Sequence, residues 1–138
     1  MYLIPGKYQH TANIGVKEFF EALCVPFLER LSVTLTSPLI EVYLDGDTVT
    51  VKSTAVLVKH SQSFKTNLEY EDWMGWMALR SKTVVVNETE MLTTSVIEKS
   101  KETFQRHYLF TDDELIVTFT SEKVTTNARM NLWRKATR

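Results

Sequence analysis

The stretch SPLIEVYLDGDTVTVKS, residues 37–53, decides the fold class because its apolar and polar residues alternate on both sides of a turn. Its first run places Ile40, Val42 and Leu44 on one face of an extended chain. An Asp-Gly pair follows at 45–46, and glycine tolerates the positive φ of a tight turn. The stretch therefore predicts a β-hairpin with one apolar face.

The same alternation recurs along most of the chain. KTVVVNETEMLTTSVIEK, residues 82–99, has a polar turn in its middle, and ETFQRHYLFTDDELIVTFTSEKVTT, residues 102–126, has another at Asp112-Asp113. About ten short strands are too many for a flat sheet of this size, and closing the sheet removes its exposed edges. The pattern predicts an all-β fold, a ten-stranded antiparallel up-and-down β-barrel (clam) with an internal ligand cavity.

One stretch, GVKEFFEALCVPFLERL at residues 15–31, breaks the alternation. Pro26 can end one helix and open a second at its first turn. We therefore expect a helix-turn-helix cap over about residues 15–36, with Cys24 as a small buried residue at the junction. The apolar residues at helical spacing, predicted to pack on the barrel rim, are Val16, Phe19, Phe20 and Leu23.

Length and charge bound the function. The chain has 138 residues, which predicts a single domain over residues 1–138, and its net charge of -1 gives no electrostatic case for nucleic acid. A lone cysteine suits a reducing compartment, and the N-terminal MYLIPGKYQH lacks the apolar core of a signal peptide. We expect a cytoplasmic monomer of 16.0 kDa, small enough to enter the nucleus.

Catalytic and metal-binding patterns are missing from the sequence. His10, His60 and His107 lack the spacing of metal ligands, and no serine stands in a nucleophile elbow. The sequence thus predicts no enzyme activity, no catalytic residue, no metal and no cofactor.

Several motifs carry a resemblance to a known family. They are Gly-Lys-Tyr at 6–8, FFEALCVPF at 19–27 with Cys24 where glycine is usual, SFKTNLEYED at 63–72 and DELIVTFT at 113–120. With them the chain resembles the intracellular lipid-binding proteins of the calycin superfamily, which include fatty-acid-binding and cellular retinoid-binding proteins. The resemblance implies a ten-stranded barrel around a water-filled cavity, capped by two helices. It also implies a carrier that transports one hydrophobic molecule, usually a long-chain fatty acid, through the cytosol.

Arg106 is the leading candidate for binding the ligand's head group. It lies mid-strand, and Phe104, Tyr108 and Phe110 share its face if the strand is regular. An arginine there needs an anion, and its fork can bond both oxygens of a carboxylate. The resemblance implies that Arg106 contacts the ligand head, with Phe104 and Tyr108 beside it. Two alternatives stay open, namely pairing with a protein carboxylate and reaching solvent at the strand end.

The family's second anchor, an Arg-x-Tyr near the end of the last strand, has no direct counterpart in KVTTNARMNLWRKATR, residues 123–138. Arg129 with Asn131 is the preferred match. No tyrosine fills the hydroxyl role, which favours a second hypothesis: a retinoid or other apolar ligand. The two other registers that remain open are Ala128 with Met130 and Asn131 with Trp133.

The resemblance places the ligand portal between the second helix and two turns. Its predicted lining residues are Phe27, Leu31, Leu57 and Trp76.

EDWMGWM, residues 71–77, puts unusual apolar surface in one of these turns. Alternation turns Asp72, Met74 and Trp76 towards the cavity and Trp73 and Met77 away from it. Met74 and Trp76 are therefore predicted to cover the bound tail. Trp73 is predicted to contact a membrane or a nuclear receptor during ligand delivery. The competing interpretation is that both indoles are buried.

Overall fold

The computed structural model describes residues 6–28, 39–55, 58–74, 77–123 and 130–135, with the backbone alone at 13, 55, 58–60 and 130–135. Within these residues no helix is long and apolar enough to cross a membrane. The described ranges contain one helix and ten strands: β1 Gly6–Ile14, α1 Val16–Ala22, β2 Leu39–Asp45, β3 Thr48–Ala55, β4 Val58–Lys65, β5 Glu69–Met74, β6 Met77–Asn87, β7 Glu90–Ile97, β8 Thr103–Phe110, β9 Glu114–Thr120 and β10 Met130–Lys135.

The strands form one sheet in the order β4-β3-β2-β1-β10-β9-β8-β7-β6-β5. All of its ladders are antiparallel, and most join strands that follow each other in the chain. The pairing of β1 with β10 joins the two halves of the chain. The predicted antiparallel β architecture is confirmed.

Two of the predicted hairpins form where their turn residues stand. Asp45 pairs with Thr48, so Gly46 lies in a two-residue connection and adopts a φ of 61°. Glycine accepts this left-handed conformation because it has no Cβ. Asn87 pairs with Glu90 in the same way at the polar turn of the second run.

β4 and β5 stand at the two ends of the sheet order, and the described residues contain no ladder between them. Side chains join them instead near the turn at 66–68. The rings of Phe64 and Tyr70 stack with centroids 4.0 Å apart, and the Gln62 side chain donates to the carbonyl oxygen of Glu71. The two end strands are therefore neighbours there, while full closure and the internal cavity stay predictions.

Helix α1 buries the residues that its spacing marked, since Val16, Phe19 and Phe20 lie on its inner face. The helix ends in two backbone hydrogen bonds, from Cys24 N to Glu21 O (2.9 Å) and from Val25 N to Phe20 O (3.0 Å). This is the Schellman pattern, in which the residue after the C-cap is left-handed.

Cys24 occupies that left-handed position with a φ of 61° and is exposed. The prediction of a buried cysteine is therefore wrong, because the end of the helix turns this side chain out and buries Val25 instead. The family's usual glycine suits such a conformation. The second half of the predicted cap, residues 29–36, lies outside the described residues.

Candidate functional site

Arg106 lies on the buried face of β8, and its side chain is 7% exposed. Its Nη2 donates to Asp72 Oδ2 at 2.6 Å and to Ser95 Oγ at 2.9 Å, and its Nη1 donates to the Tyr108 hydroxyl at 3.2 Å. Phe104 on the same face of β8 is also buried, as alternation predicted. The pairing with a protein carboxylate, left open by the sequence, is the arrangement that forms.

Asp72 on β5 accepts hydrogen bonds at both carboxylate oxygens. Ser81 Oγ donates to Oδ2 at 2.8 Å, and the backbone N–H of Trp73 donates to Oδ1 at 2.8 Å. β6 and β7 lie between β5 and β8, and their Ser81 and Ser95 hydroxyls are hydrogen-bonded at 2.8 Å. These small side chains leave room for Asp72 and Arg106 to meet. The polar cluster is hereafter Asp72, Ser81, Ser95, Arg106 and Tyr108.

The charges in the polar cluster balance. Burial works to lower the pKa of Arg106, but Tyr108, Asp72 and Tyr70 raise it above its ordinary value, so the guanidinium stays charged. Burial is the main cause that raises the pKa of Tyr70 and of Tyr108, so both phenols stay protonated at neutral pH. Asp72 and Arg106 are the buried charged side chains among the described residues.

One donor in the polar cluster has no partner. Within the described residues, Arg106 Nε is buried and makes no hydrogen bond. A buried donor without an acceptor costs about 1–3 kcal/mol.

A second line of hydroxyls continues the polar surface. The Tyr70 hydroxyl lies 2.8 Å from Thr83 Oγ1, which lies 2.7 Å from Thr93 Oγ1. Thr83 and Thr93 are fully or nearly fully buried. Tyr70 on β5 thus contacts both Thr83, through its hydroxyl, and Phe64 on β4, through its ring.

A cluster of aromatic rings packs beneath helix α1. Phe19 and Phe20 lie with ring centroids 5.2 Å apart, and Phe20 meets Phe104 edge-on at 5.4 Å. Phe119 on β9 completes the group, 5.8 Å from Phe20. The Arg106 guanidinium carbon lies 5.9 Å from the Phe104 ring centroid, so the aromatic cluster borders the polar one.

The turn that contains EDWMGWM partly follows its prediction. Asp72 is buried, Met74 packs against the core, and Trp73 is 53% exposed. The competing interpretation, that both indoles are buried, is therefore wrong for Trp73. The outward prediction for Met77 is also wrong, because it pairs directly with Met74 across the hairpin and cross-strand partners share a face. Met77 is 1% exposed.

The remaining predicted ligand residues are only partly described. Phe27 is 55% exposed. Tyr108 is partly buried and packs against the core. Leu31, Leu57, Trp76 and Arg129 lie outside the described residues, and Asn131 is described by its backbone alone.

The backbone pairing of the last strand is described at 130–135. Asn131 pairs with Val117 and Met130 with Thr118 on β9. The three registers for the second anchor, which are Arg129 with Asn131, Ala128 with Met130 and Asn131 with Trp133, stay predictions.

Sequence reasoning missed the serine partners of Arg106, which are Ser81 and Ser95. Ser81 and Thr83 on β6 and Thr93 and Ser95 on β7 occupy alternate positions on rows that are otherwise apolar. The available signal was a pair of consecutive small hydroxyl residues within each buried row, after Met77 and Leu79 on β6 and between Met91 and Ile97 on β7. The register that brings them together was not readable from one strand at a time.

Comparison with known proteins agrees with this architecture. The fatty-acid-binding protein of Lepidoglyphus destructor is 27% identical over 124 residues, 88% of this chain and 92% of the relative. That of Tyrophagus putrescentiae is 31% identical over 72 residues, 52% of this chain, so the chain spans about half (55%) of that relative's length. No family model matches the sequence.

Solved structures share the fold. A Schistosoma mansoni fatty-acid-binding protein in complex with arachidonic acid superposes with a TM-score of 0.83 at 18% identity, covering 99% of this chain and 98% of that one. The Manduca sexta fatty-acid-binding protein superposes with a TM-score of 0.80 at 17% identity, covering 97% and 99%. These likenesses show that the chain has the fold of the fatty-acid-binding proteins.

Proposed function

We propose that this protein is a carrier that binds a long-chain fatty acid or a similar hydrophobic molecule inside its barrel and transports it through the cytosol. The observation that carries the proposal is the buried guanidinium of Arg106, with an unpartnered Nε donor, on the inner face of a fatty-acid-binding-protein fold. The names of its relatives support the same ligand class. In this proposal Arg106, with Tyr108, holds the head group.

The tail would follow the apolar wall. Phe104, the aromatic residues of helix α1 and Met74 offer apolar surface on either side of the polar cluster. Each methylene that such a wall buries contributes about 0.8 kcal/mol. Leu31, Leu57, Trp76 and Phe27 are proposed as the portal, and Arg129 with Asn131 as a second contact for the head.

The proposed carrier acts as a single monomeric domain over residues 1–138, with its helical cap at about 15–36. It needs no catalytic step, cofactor or metal, and the relatives it resembles are named fatty-acid-binding proteins. We place it in the cytoplasm with access to the nucleus.

The first test is the saturable binding of a fluorescent fatty acid by delipidated protein. One ligand per chain is expected. The variant Arg106→Gln/Asp72→Asn removes both buried charges together and should bind about 10- to 100-fold more weakly, since a hydrogen bond to a charged group contributes about 1.5–3 kcal/mol.

The matched control is Arg80→Gln/Glu69→Gln, which removes an exposed pair whose nitrogen and oxygen lie 4.0 Å apart. It should bind like the wild type. No saturable binding by the wild-type protein would refute the carrier function. Equal binding by wild type and the buried-pair variant would refute the anchor alone.

The exposed indole of Trp73 favours a second candidate function, delivery by direct contact with a membrane or a nuclear receptor. In this mode, which suits a retinoid as well as a fatty acid, transfer to vesicles accelerates as vesicle concentration rises. Trp73→Ser should lower that dependence, whereas Tyr43→Ser, another exposed aromatic residue on β2, should not. A transfer rate that ignores vesicle concentration would count against contact delivery.

A further inference from the structure

The outer face of strands β6 to β9 carries apolar side chains at positions where alternation predicts polar ones. Val84 and Val86 on β6 are 39% and 53% exposed. Leu92 on β7, Leu109 on β8 and Ile116 on β9 are half-buried and stand on the outward rows of their strands. These five residues are hereafter the outer apolar patch.

The registers of the sheet make the outer apolar patch continuous. Val84 pairs with Leu92, and Leu109 pairs with Ile116, so the members of each pair share a face. Leu92 and Leu109 are diagonal neighbours, because Leu92 pairs with His107, two residues before Leu109. Contiguous exposed apolar surface of this kind marks interaction sites on proteins.

One polar pair lies within the outer apolar patch. The Glu90 Oε2 and His107 Nε2 atoms are 2.8 Å apart, and Asn87 Nδ2 donates to Glu90 Oε1 at 3.2 Å. Both oxygens of this carboxylate are therefore hydrogen-bonded before anything covers it. A partner that excludes water here meets a satisfied polar group, which is much less costly to bury than an unpaired one.

The charge around the outer apolar patch is predominantly negative. Residues 83–97 and 107–122, which include the whole patch, contain six of the chain's 17 acidic residues and none of its 16 lysines and arginines. The net charge of these two segments is therefore -6, against +5 for the rest of the chain. A partner of opposite charge is favoured at this face.

Acidic residues lie in two adjacent turns at one end of the patch. Asp112 and Asp113 are exposed in the turn between β8 and β9. The N–H of Phe110 donates to the carbonyl oxygen of Thr89 at 2.8 Å, so this turn lies beside the one between β6 and β7, which contains Glu88.

Bases next to these two segments stand opposite acids. Lys82 is opposite Glu69 in the register of β5 with β6. Arg134, described by its backbone alone, is opposite Glu114 in the register of β9 with β10. The end of the patch formed by the two turns is therefore acidic.

We propose that the outer apolar patch docks an amphipathic helix of a partner protein, whose apolar stripe is flanked by lysines and arginines. Four neighbouring strands span about 15 Å, and a helix has a diameter of about 10 Å, so one helix fits on the patch. The bases of that helix would lie beside Asp112 and Asp113. A second copy of this chain would oppose two acidic surfaces, and an anionic membrane would be repelled.

This surface is separate from the indole proposed for contact delivery. Trp73 pairs with Ala78, which is eight residues before Val86 on β6. At about 3.3 Å per residue, the two positions on β6 are about 25 Å apart. The inference goes beyond the carrier function and does not depend on a bound lipid.

Two fluorescent peptides of about 18 residues, or five helical turns, serve as probes. Both have a leucine stripe at helical spacing, with lysine at all remaining positions in one and glutamate in its twin. We expect delipidated protein to bind the lysine peptide, measured by fluorescence anisotropy, and the glutamate twin at least about tenfold more weakly. Amide NMR shifts on adding the lysine peptide should map to β6–β9.

Two variants test the apolar and the acidic part separately. Val86→Ser and the double variant Asp112→Asn/Asp113→Asn should each weaken binding of the lysine peptide by about three- to tenfold. Both change exposed positions, so folding should be little affected. If a variant does not fold, the two peptides and the NMR map decide on the wild-type protein alone.

The matched controls lie on and after helix α1. Leu28→Ser removes an exposed apolar side chain, and Glu18→Gln/Glu21→Gln neutralises two exposed carboxylates. Both controls should bind the lysine peptide like the wild type.

Equal binding of the two peptides, or losses in the controls as large as in the patch variants, would overturn the inference. A dimer in sedimentation equilibrium that Val86→Ser dissociates would overturn it in favour of a second copy. Binding to phosphatidylserine vesicles that Val86→Ser abolishes would overturn it in favour of a membrane.

Discussion

The two clusters inside this protein are held by different forces. Beneath helix α1, Phe19, Phe20, Phe104 and Phe119 pack by apolar area and ring geometry, which depend little on any one partner. A few ångströms away, the polar cluster depends on the pairing of Asp72 with Arg106. Truncating one ring of the aromatic cluster should therefore lower the free energy of unfolding only moderately. Removing Asp72 or Arg106 alone should lower it much more, because the other charge is then buried without its partner.

The largest effect is expected when half of the buried pair is removed. Arg106→Gln leaves Asp72 buried without its cation and should lower the free energy of unfolding by about 3–5 kcal/mol. Adding Asp72→Asn should recover much of that loss, because no buried charge is then unpaired. Urea unfolding of the single and double variants measures both.

Arg80→Gln serves as the control, since its guanidinium is half exposed and its partners are surface carboxylates. Its unfolding free energy should change by less than about 1 kcal/mol. Additive losses in the two single variants and their double would contradict the pairing.

A smaller effect is expected in the aromatic cluster. Phe20→Leu keeps the site apolar but removes ring contacts with Phe19, Phe104 and Phe119, and should cost about 1–2 kcal/mol. The loss should be the same at pH 6 and pH 8, because no titratable group is involved. Phe27→Leu, at an exposed position, should change stability by about 0.5 kcal/mol or less. A loss in Phe20→Leu that grows with pH would mean that the two clusters are not independent.

The smallest effect is a gain at the end of helix α1, where the aromatic cluster meets the loop. Cys24→Gly removes the strain of a left-handed cysteine and should raise the free energy of unfolding by about 0.5–1 kcal/mol. Cys24→Ala removes the thiol but keeps the Cβ, so it separates the two causes and should stay within a few tenths of a kcal/mol. Equal gains in both variants would assign the effect to the thiol.

Much of the fold was predictable because its signals are local. Alternation predicted the hairpins, and the row that contains Phe104, Arg106 and Phe110. Helical spacing predicted the buried face of α1. The errors lie where alternation stops: the hairpin pairs Met74 with Met77 on one face, and the helix terminus exposes Cys24.

The candidate site was less predictable because it is assembled across the sheet. Arg106 and the inward direction of Asp72 were predicted separately. Their contact spans 34 residues of sequence and depends on the registers of β6 and β7, which place Ser81 and Ser95 between them. A register is a property of paired strands, so the sequence of one strand does not contain it.

Native mass spectrometry after incubation with an equimolar mixture of a fatty acid, its alcohol and its monoacylglycerol tests the central claim most directly. The account predicts that each wild-type chain retains one acyl-chain lipid and that Arg106→Gln/Asp72→Asn loses most of it. A wild-type protein that retains no lipid, or a variant that retains as much, would contradict a carrier whose ligand is held at the polar cluster.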